Sequence, residues 1–183
     1  MIISLTGFMG CGKSSVGREL SRLLCCPFMD LDDVIVEREG RSIPEIFASD
    51  GETEFRRMEA EALMHILTGL SRTDKKVTGI LALGGGTVMT EECAKIVHEK
   101  TVCIYLKASV ETLLEHLQGQ AGGRPMLSSC HSEHIEESSL RSRIEELMVL
   151  RSATYENTAH TIIDTDGMTV EDIVKNIFSQ SIF

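Results

Sequence analysis

The fold of this chain is decided by one stretch near its start, which reads GFMGCGKS at residues 7–14. The stretch matches the pattern G-x-x-x-x-G-K-[ST], in which glycines let backbone N–H groups surround phosphates and the following helix favours negative charge at its N-terminus. An apolar, β-branched run precedes it at residues 2–6, and residues 13–24 carry apolar side chains at helical spacing. The strand, loop and helix that a phosphate-binding loop requires are therefore present in order.

This loop also predicts the residues that bind a nucleoside triphosphate. Lys13 is expected to reach the β- and γ-phosphates, and the Ser14 hydroxyl is expected to bind Mg²⁺. Groups along the loop are expected to cradle the phosphates, which gives a nucleotide-binding set of Gly10, Cys11, Gly12, Lys13, Ser14 and Ser15. The sequence thus predicts a phosphotransferase that uses ATP as co-substrate and Mg²⁺ as cofactor.

Outward from the loop, short apolar runs alternate with longer segments of helical period. The predicted strands are residues 2–6, 27–30, 77–83, 101–106 and 161–164, and the predicted helices are residues 13–24, 55–67, 90–98, 110–117, 140–150 and 170–178. Residues 43–47 predict a further short helix, and Asp50-Gly51 predicts a turn after it. Thr90 and Thr169 are predicted to start helices. The alternation predicts an α/β fold with a parallel sheet, right-handed crossovers and helices on both faces.

Composition narrows the classes of function. The chain has 183 residues, which predicts a single domain, and its formal charge of −10 argues against a nucleic-acid or anionic-membrane partner. Its six cysteines show no CxxC pair and no disulfide spacing, which is typical of a reducing compartment. We therefore expect a cytoplasmic protein, and in the absence of an exposed apolar stripe a monomer.

An acidic cluster follows the second predicted strand. Alternation along that strand places Asp30 and Asp32 on one side, at the carboxyl edge where ligands bind in open α/β sheets. One carboxylate can support Mg²⁺ while the other accepts a proton from a substrate hydroxyl. Capping of the next helix is the alternative explanation of these residues, and the two are compatible.

Two further segments carry candidate ligand contacts. Arg56 and Glu59 lie one helical turn apart, so the carboxylate can hold the guanidinium for an anion; an ordinary surface ion pair remains open. Gly84, Gly85 and Gly86 follow the third predicted strand, and three successive glycines suit a backbone that must approach a ligand closely.

Residues 118–139 are rich in Gly, Ser and charge and are long for a loop, which predicts a mobile lid. Within them, Arg124 follows two glycines and can act as an arginine finger on the transferring phosphoryl group. Arg151 is a second candidate anion contact, although an isolated arginine favours a surface position.

Taken together, these motifs resemble the shikimate kinase family from the first strand to the last helix. The loop pattern continues to Leu20, and the family's D-x-D occurs at residues 30–32. Its S-I-x-x-I-F…G-E-x-x-F-R-x-x-E pattern occurs at residues 42–59, its three glycines at 84–86, its R-P-L as RPM at 124–126, and its R-x-x-x-Y at 151–155.

The resemblance implies ATP-dependent phosphorylation of the 3-hydroxyl of shikimate, a step of aromatic amino-acid (chorismate) biosynthesis. It implies the three-layer αβα fold of nucleoside monophosphate kinases, with a five-stranded parallel sheet, a substrate-binding helical region at about residues 31–60 and a lid at about 118–139. Its implied roles are as follows: shikimate binding by Asp32, Arg56, Gly84, Gly85, Gly86 and Arg151; Mg²⁺ binding by Ser14 and Asp30; phosphate contacts by Lys13 and Arg124; and catalysis by Lys13, Asp32 and Arg124.

Three rival functions share part of this pattern. A gluconate-kinase-like enzyme has the phosphate loop and lid but no need for the other motifs. A nucleoside monophosphate kinase needs a larger acceptor region than about 30 residues can build. A catalytically silent nucleotide-binding module predicts a damaged lysine, serine or base, whereas Lys13, Ser14 and Asp32 are present.

Overall fold

The computed structural model of the protein describes residues 1–70, 76–117 and 137–180. Five strands form one parallel sheet: β1 Ile2–Thr6, β2 Phe28–Asp30, β3 Gly79–Ala82, β4 Val102–Lys107 and β5 Thr161–Asp164. The helices in the described residues are α1 Lys13–Leu24, α2 Leu31–Glu39, α3 Ile43–Leu70, α4 Glu91–Lys100, α5 Val110–Leu117, α6 Glu137–Thr158 and α7 Val170–Ser179, with a 3₁₀ turn at Thr87–Met89. The predicted α/β class is confirmed.

The sheet order is β2-β3-β1-β4-β5, so β1 lies at the centre and every residue of it is buried. Ile3 pairs with Ile80 of β3 on one side and with Val102 of β4 on the other. The chain runs from β1 to β2 on one side of the sheet, and later crosses from β3 to β4 on the other side of β1. Where the direction of the connections reverses in this way, a crevice opens at the carboxyl edge of the sheet. The phosphate loop begins at this edge, directly after β1.

Two hydrophobic cores cover the two faces of the sheet, as alternation along buried strands requires. Ile3 belongs to the core under α1, α5 and α7, which also receives the first half of α6. The neighbouring Ile2 belongs to the core formed with α2, α3 and α4. Helices therefore lie on both faces, which confirms the three-layer prediction.

Several predicted bounds differ from the observed ones. The two helices predicted on either side of residues 50–51 are joined in α3, and the predicted turn is a kink at Gly51, where φ is 81° and ψ is 174°. A left-handed φ of this kind favours glycine. The predicted helix at residues 140–150 extends at both ends to α6, so residues 137–139 of the predicted lid are helical.

Both predicted helix starts, at Thr90 and Thr169, are N-cap positions in the structure. Thr169 forms a full capping box with Asp172 at the start of α7, as predicted. Thr90 precedes α4 in the N-cap position, as predicted, although its side chain makes no capping hydrogen bond. Within the described ranges, no helix is both long and apolar enough to cross a membrane.

Candidate active site

The phosphate loop closes on itself through Lys13. Its ammonium group donates to the carbonyl oxygens of Gly7 at 2.9 Å and Phe8 at 3.0 Å. Gly12, just before α1, has φ 94° and ψ 11°, a left-handed conformation that places the helix N-terminus directly behind the loop. The sequence therefore folds locally into a cationic cradle with N–H groups and a helix dipole at its base.

A hydroxyl and a carboxylate meet beside this cradle. Ser14, in the first turn of α1, donates from Oγ to Asp30 Oδ2 at 2.6 Å. The other oxygen of Asp30 accepts from the backbone N–H of Asp32 at 3.2 Å and caps α2. Helix capping by Asp30 is thus confirmed. The Ser14 hydroxyl oxygen and the Asp30 carboxylate oxygen are also ligands of the kind that Mg²⁺ prefers.

Asp32 reaches the site by a different route from the predicted one. β2 ends at Asp30, so Asp32 lies in the first turn of α2, and strand alternation does not explain its position. Burial, reinforced by the negative charges of Asp30 and Glu59, raises the pKa of Asp32 from 3.8 to about 6. A carboxylate with a pKa near neutrality is well matched to accepting a proton from a hydroxyl.

The Arg56 guanidinium is held by a buried carboxylate. Arg56 Nη1 donates to Glu59 Oε2 at 2.6 Å, and the hydroxyl of Thr87 donates to Glu59 Oε1 at 2.6 Å. Glu59 is only 1% exposed. The interpretation as an ordinary surface ion pair is therefore wrong, because an exposed pair would not fix the guanidinium in this way.

The three glycines after β3 make room for these side chains. A Cβ atom at Gly84 would lie 2.8 Å from both Asp32 Oδ1 and Glu59 Oε1, and a Cβ atom at Gly86 would lie 2.6 Å from Arg56 Nη2. At Gly85 the nearest atom would be the backbone nitrogen of Met9 at 3.3 Å. The sequence predicted that these glycines allow a ligand to approach the backbone closely. In the structure, the side chains of Asp32, Glu59 and Arg56 already lie close to Gly84 and Gly86.

Arg151 is buried in this region. It is 5% exposed, so the interpretation of this arginine as a surface residue is wrong. Its Nη1 donates to the carbonyl oxygen of Gly85 at 3.3 Å, and the hydroxyl of Tyr155, one turn later on α6, donates to the same oxygen. The R-x-x-x-Y spacing therefore fixes the middle glycine from one helix face.

One cavity of about 820 Å³ at the carboxyl edge of the sheet collects these groups. Every predicted site residue within the described ranges lines it: Gly10, Cys11, Gly12, Lys13, Ser14, Ser15, Asp30, Asp32, Arg56, Gly84, Gly85, Gly86 and Arg151. Arg124 and most of the predicted lid lie outside the described residues. This volume accommodates a nucleotide together with a small acceptor.

The cavity also contains residues that the sequence analysis missed. His116, at the end of α5, and Met168, in the connection from β5 to α7, both line it. Met168 lies in a connection that follows a strand at the carboxyl edge, which is the signal by which it could have been found, whereas His116 lies a whole helix beyond β4 and carries no such signal.

Comparisons with known proteins agree on one family. The family model described as shikimate kinase matches residues 9–181. A shikimate kinase of Thermus thermophilus is 42% identical over 175 residues, covering 96% of this chain and 86% of that protein. One from Salinibacter ruber is 38% identical over 177 residues, covering 97% of this chain and 82% of that protein. The solved structure of a shikimate kinase from Acinetobacter baumannii in complex with shikimate aligns with a TM-score of 0.84 at 28% identity, covering 100% of this chain and 95% of the other.

Proposed function

Because the chain belongs to the shikimate kinase family, it is an ATP-dependent kinase acting on an alcohol group of shikimate, and we propose how its residues carry out that reaction. The observation that supports the proposal best is the single cavity in which the phosphate loop, Asp32, Arg56 and Arg151 meet. ATP phosphates occupy the loop, and shikimate occupies the end lined by Arg56 and the three glycines.

Shikimate is a carboxylic acid, and two arginines are available for its carboxylate. Arg56 is pre-oriented by Glu59, and Arg151 is fixed against the carbonyl of Gly85. Guanidinium groups bind carboxylates through directed, charge-assisted hydrogen bonds. This grip places the acceptor hydroxyl near Asp32, since Asp32 and Glu59 flank the same glycine.

In the transfer step, the 3-hydroxyl oxygen forms a bond to the γ-phosphorus and the bond from that phosphorus to the β,γ-bridging oxygen breaks. Asp32 orients the hydroxyl and accepts its proton, and ADP leaves with the electron pair of the broken bond. Lys13 and the N–H groups of the loop stabilise the charge on the phosphates. We assign Arg124 to the same phosphates, as a residue outside the described ranges.

Ser14 and Asp30 fit a magnesium ion, because a hydroxyl oxygen and a carboxylate oxygen already meet there at 2.6 Å. When bound, Mg²⁺ supplies neutralisation of the charge on the β- and γ-phosphates. Asp30 has a second duty as the cap of α2, and it thereby also positions the backbone of Asp32.

We further propose one P-loop kinase domain over residues 1–183, with its substrate-binding region at about residues 31–60 and its lid at about 118–139. The proposed state is a monomer in the cytoplasm. None of the five described cysteines forms a disulfide, which supports a reducing compartment. The charge of −10 supports small-molecule partners over nucleic acid or membrane.

A coupled ADP-release assay with Mg-ATP tests the function, using shikimate, gluconate, AMP and no acceptor in parallel. Turnover with shikimate alone is expected. Turnover only with another acceptor would discard the proposed shikimate contacts and keep the phosphate-loop chemistry. ATP binding without turnover on any acceptor would favour a silent nucleotide-binding module.

Replacement of Arg56 by alanine is expected to raise the KM for shikimate by about 10- to 100-fold, because a charge-assisted hydrogen bond contributes about 1.5–3 kcal/mol. Steady-state kinetics with shikimate varied at saturating ATP measures this. Arg57→Ala is the matched control, because Arg57 is the next residue and pairs with Glu54 and Glu61 on the exposed side. An unchanged KM in Arg56→Ala, or an equal rise in the control, would remove Arg56 from the site.

Gly86→Ala is expected to weaken shikimate binding without unfolding the protein. The backbone of Gly86 has φ −116°, which alanine adopts freely, and the nearest atoms that the added Cβ meets belong to the Arg56 guanidinium, at 2.6 Å. We expect the KM for shikimate to rise about tenfold and the melting temperature to fall moderately, because the buried Glu59 carboxylate loses part of its ion pair. Gly69→Ala, where an added Cβ meets no atom within 4 Å, is the control. A large fall in melting temperature with an unchanged KM would contradict this account.

A further inference from the structure

The last turn of α5 grips the phosphate loop at Gly10. His116 Nδ1 lies 2.8 Å from the Gly10 carbonyl oxygen. Since a carbonyl oxygen only accepts, Nδ1 carries the proton and donates. The next residue, Leu117, packs so closely that a Cβ atom at Gly10 would lie 3.0 Å from its side chain. Two consecutive residues of α5 thus hold one glycine of the loop.

These contacts fix the peptide group between Gly10 and Cys11 at both ends. Its carbonyl accepts from His116, and its N–H, on Cys11, donates to the carbonyl of Phe8 at 3.2 Å. Gly10 has φ 85°, and glycine adopts the alternatives to such a conformation at little cost. A flip of this peptide would exchange the directions of its N–H and carbonyl oxygen, in a loop that must present N–H groups to phosphate.

His116 differs from the other donor side chain of the loop in where it is attached. Lys13 belongs to the loop itself and donates to the carbonyls of Gly7 and Phe8, so its ammonium is drawn to phosphates when they bind. His116 stands on a separate helix, and its bond to Gly10 involves a neutral carbonyl that carries no phosphate contact. The imidazole can therefore hold the loop both before and after nucleotide binds.

We propose that His116 is a positioning residue for the phosphate cradle, acting through its Nδ1–H on the Gly10 carbonyl. This inference rests on the proposed function, because it takes the loop to be the site of ATP phosphates. Loss of this hydrogen bond therefore weakens the binding of any polyphosphate to the loop, whether or not the polyphosphate carries a nucleoside base. It leaves the affinity for shikimate unchanged.

Two variants separate the hydrogen bond from the ring. His116→Phe keeps a flat ring and loses the donor, whereas His116→Asn loses the ring and keeps an N–H donor at the place of Nδ1. Titration calorimetry without shikimate measures binding of Mg-ADP and of inorganic tripolyphosphate. We expect His116→Phe to weaken both about three- to tenfold, and His116→Asn to restore both to within about twofold of wild type. In turnover, the KM for ATP rises and the KM for shikimate does not.

Other outcomes overturn the proposal. Unchanged binding of both probes to His116→Phe would mean that the hydrogen bond does not contribute to binding. Weaker binding of ADP but not of tripolyphosphate would mean that the His116 ring contacts the base. Equal weakening in both variants would assign the effect to the ring. The exposed residue His65 provides the control His65→Phe. If wild type binds neither probe, the nucleotide site itself fails and this inference fails with it, a result distinct from the others.

Discussion

Replacing Lys13 with alanine is expected to lower kcat by about 10³-fold or more, because its ammonium is proposed to stabilise the charge on the β- and γ-phosphates during transfer. In the absence of nucleotide that charge is satisfied by the carbonyls of Gly7 and Phe8. The variant therefore loses the contact with the phosphates and also the two hydrogen bonds from Lys13 that close the loop. Single-turnover kinetics with saturating ATP and shikimate measures the chemical step.

Two further measurements separate these effects. Lys95→Ala serves as the control, because the Lys95 side chain is exposed on α4 and pairs only weakly with Glu99 at 4.0 Å. The affinity for Mg-ADP, measured by calorimetry, reports loop closure independently of the chemical step. Turnover of Lys13→Ala within a few-fold of wild type would show that its role is misassigned.

Replacing Asp32 with asparagine is expected to abolish most activity and to stabilise the folded protein at alkaline pH. The amide cannot accept the hydroxyl proton, so we expect kcat to fall by about 10²- to 10⁴-fold. Burial first, and then Asp30 and Glu59, raise the pKa of Asp32 to about 6. The folded protein thus binds this proton more tightly than the unfolded chain does. The resulting stability is present below about pH 4 and is lost as the pH rises through 6.

The difference of about two pKa units corresponds to about 3 kcal/mol of unfolding free energy. We expect Asp32→Asn to gain up to about that amount over wild type at pH 8 and to gain almost nothing near pH 4. Urea unfolding at both pH values measures this, with the exposed neighbour variant Asp33→Asn as the control. A destabilised Asp32→Asn at pH 8 would contradict the raised pKa.

Local sequence patterns were enough to predict the strand, loop and helix around the phosphate site. The bounds of β1 and α1 agree with the predicted residues 2–6 and 13–24, because an apolar run and a helical period of apolar side chains fill those segments. The contact between Arg56 and Glu59 was predictable for the same reason, since residues three apart on a helix are neighbours.

Contacts between distant segments could not be predicted in this way. Arg151 reaches Gly85 across 66 positions in sequence, and no local pattern distinguishes a buried arginine from an exposed one. The strand alternation used to place Asp32 was wrong, because β2 ends at Asp30 and α2 begins at Leu31, so Asp32 lies in a helix. His116 was missed because its partner is a backbone carbonyl 106 positions away.

The central position of β1 has a consequence for the newborn chain. β1 is synthesised before both of its neighbours: β3 follows about 77 residues later and β4 about 100 residues later, as the pairing of Ile3 with Ile80 and with Val102 shows. At about 5–20 residues per second, β1 waits roughly 5–20 s for β4. Until then the apolar side chains of β1, those of Ile2, Ile3 and Leu5, lack at least one of the strands that flank them, and exposed apolar surface of this kind is what molecular chaperones cover. The phosphate loop, although it directly follows β1, can therefore acquire its contact with His116 only after β4 and α5 have been synthesised.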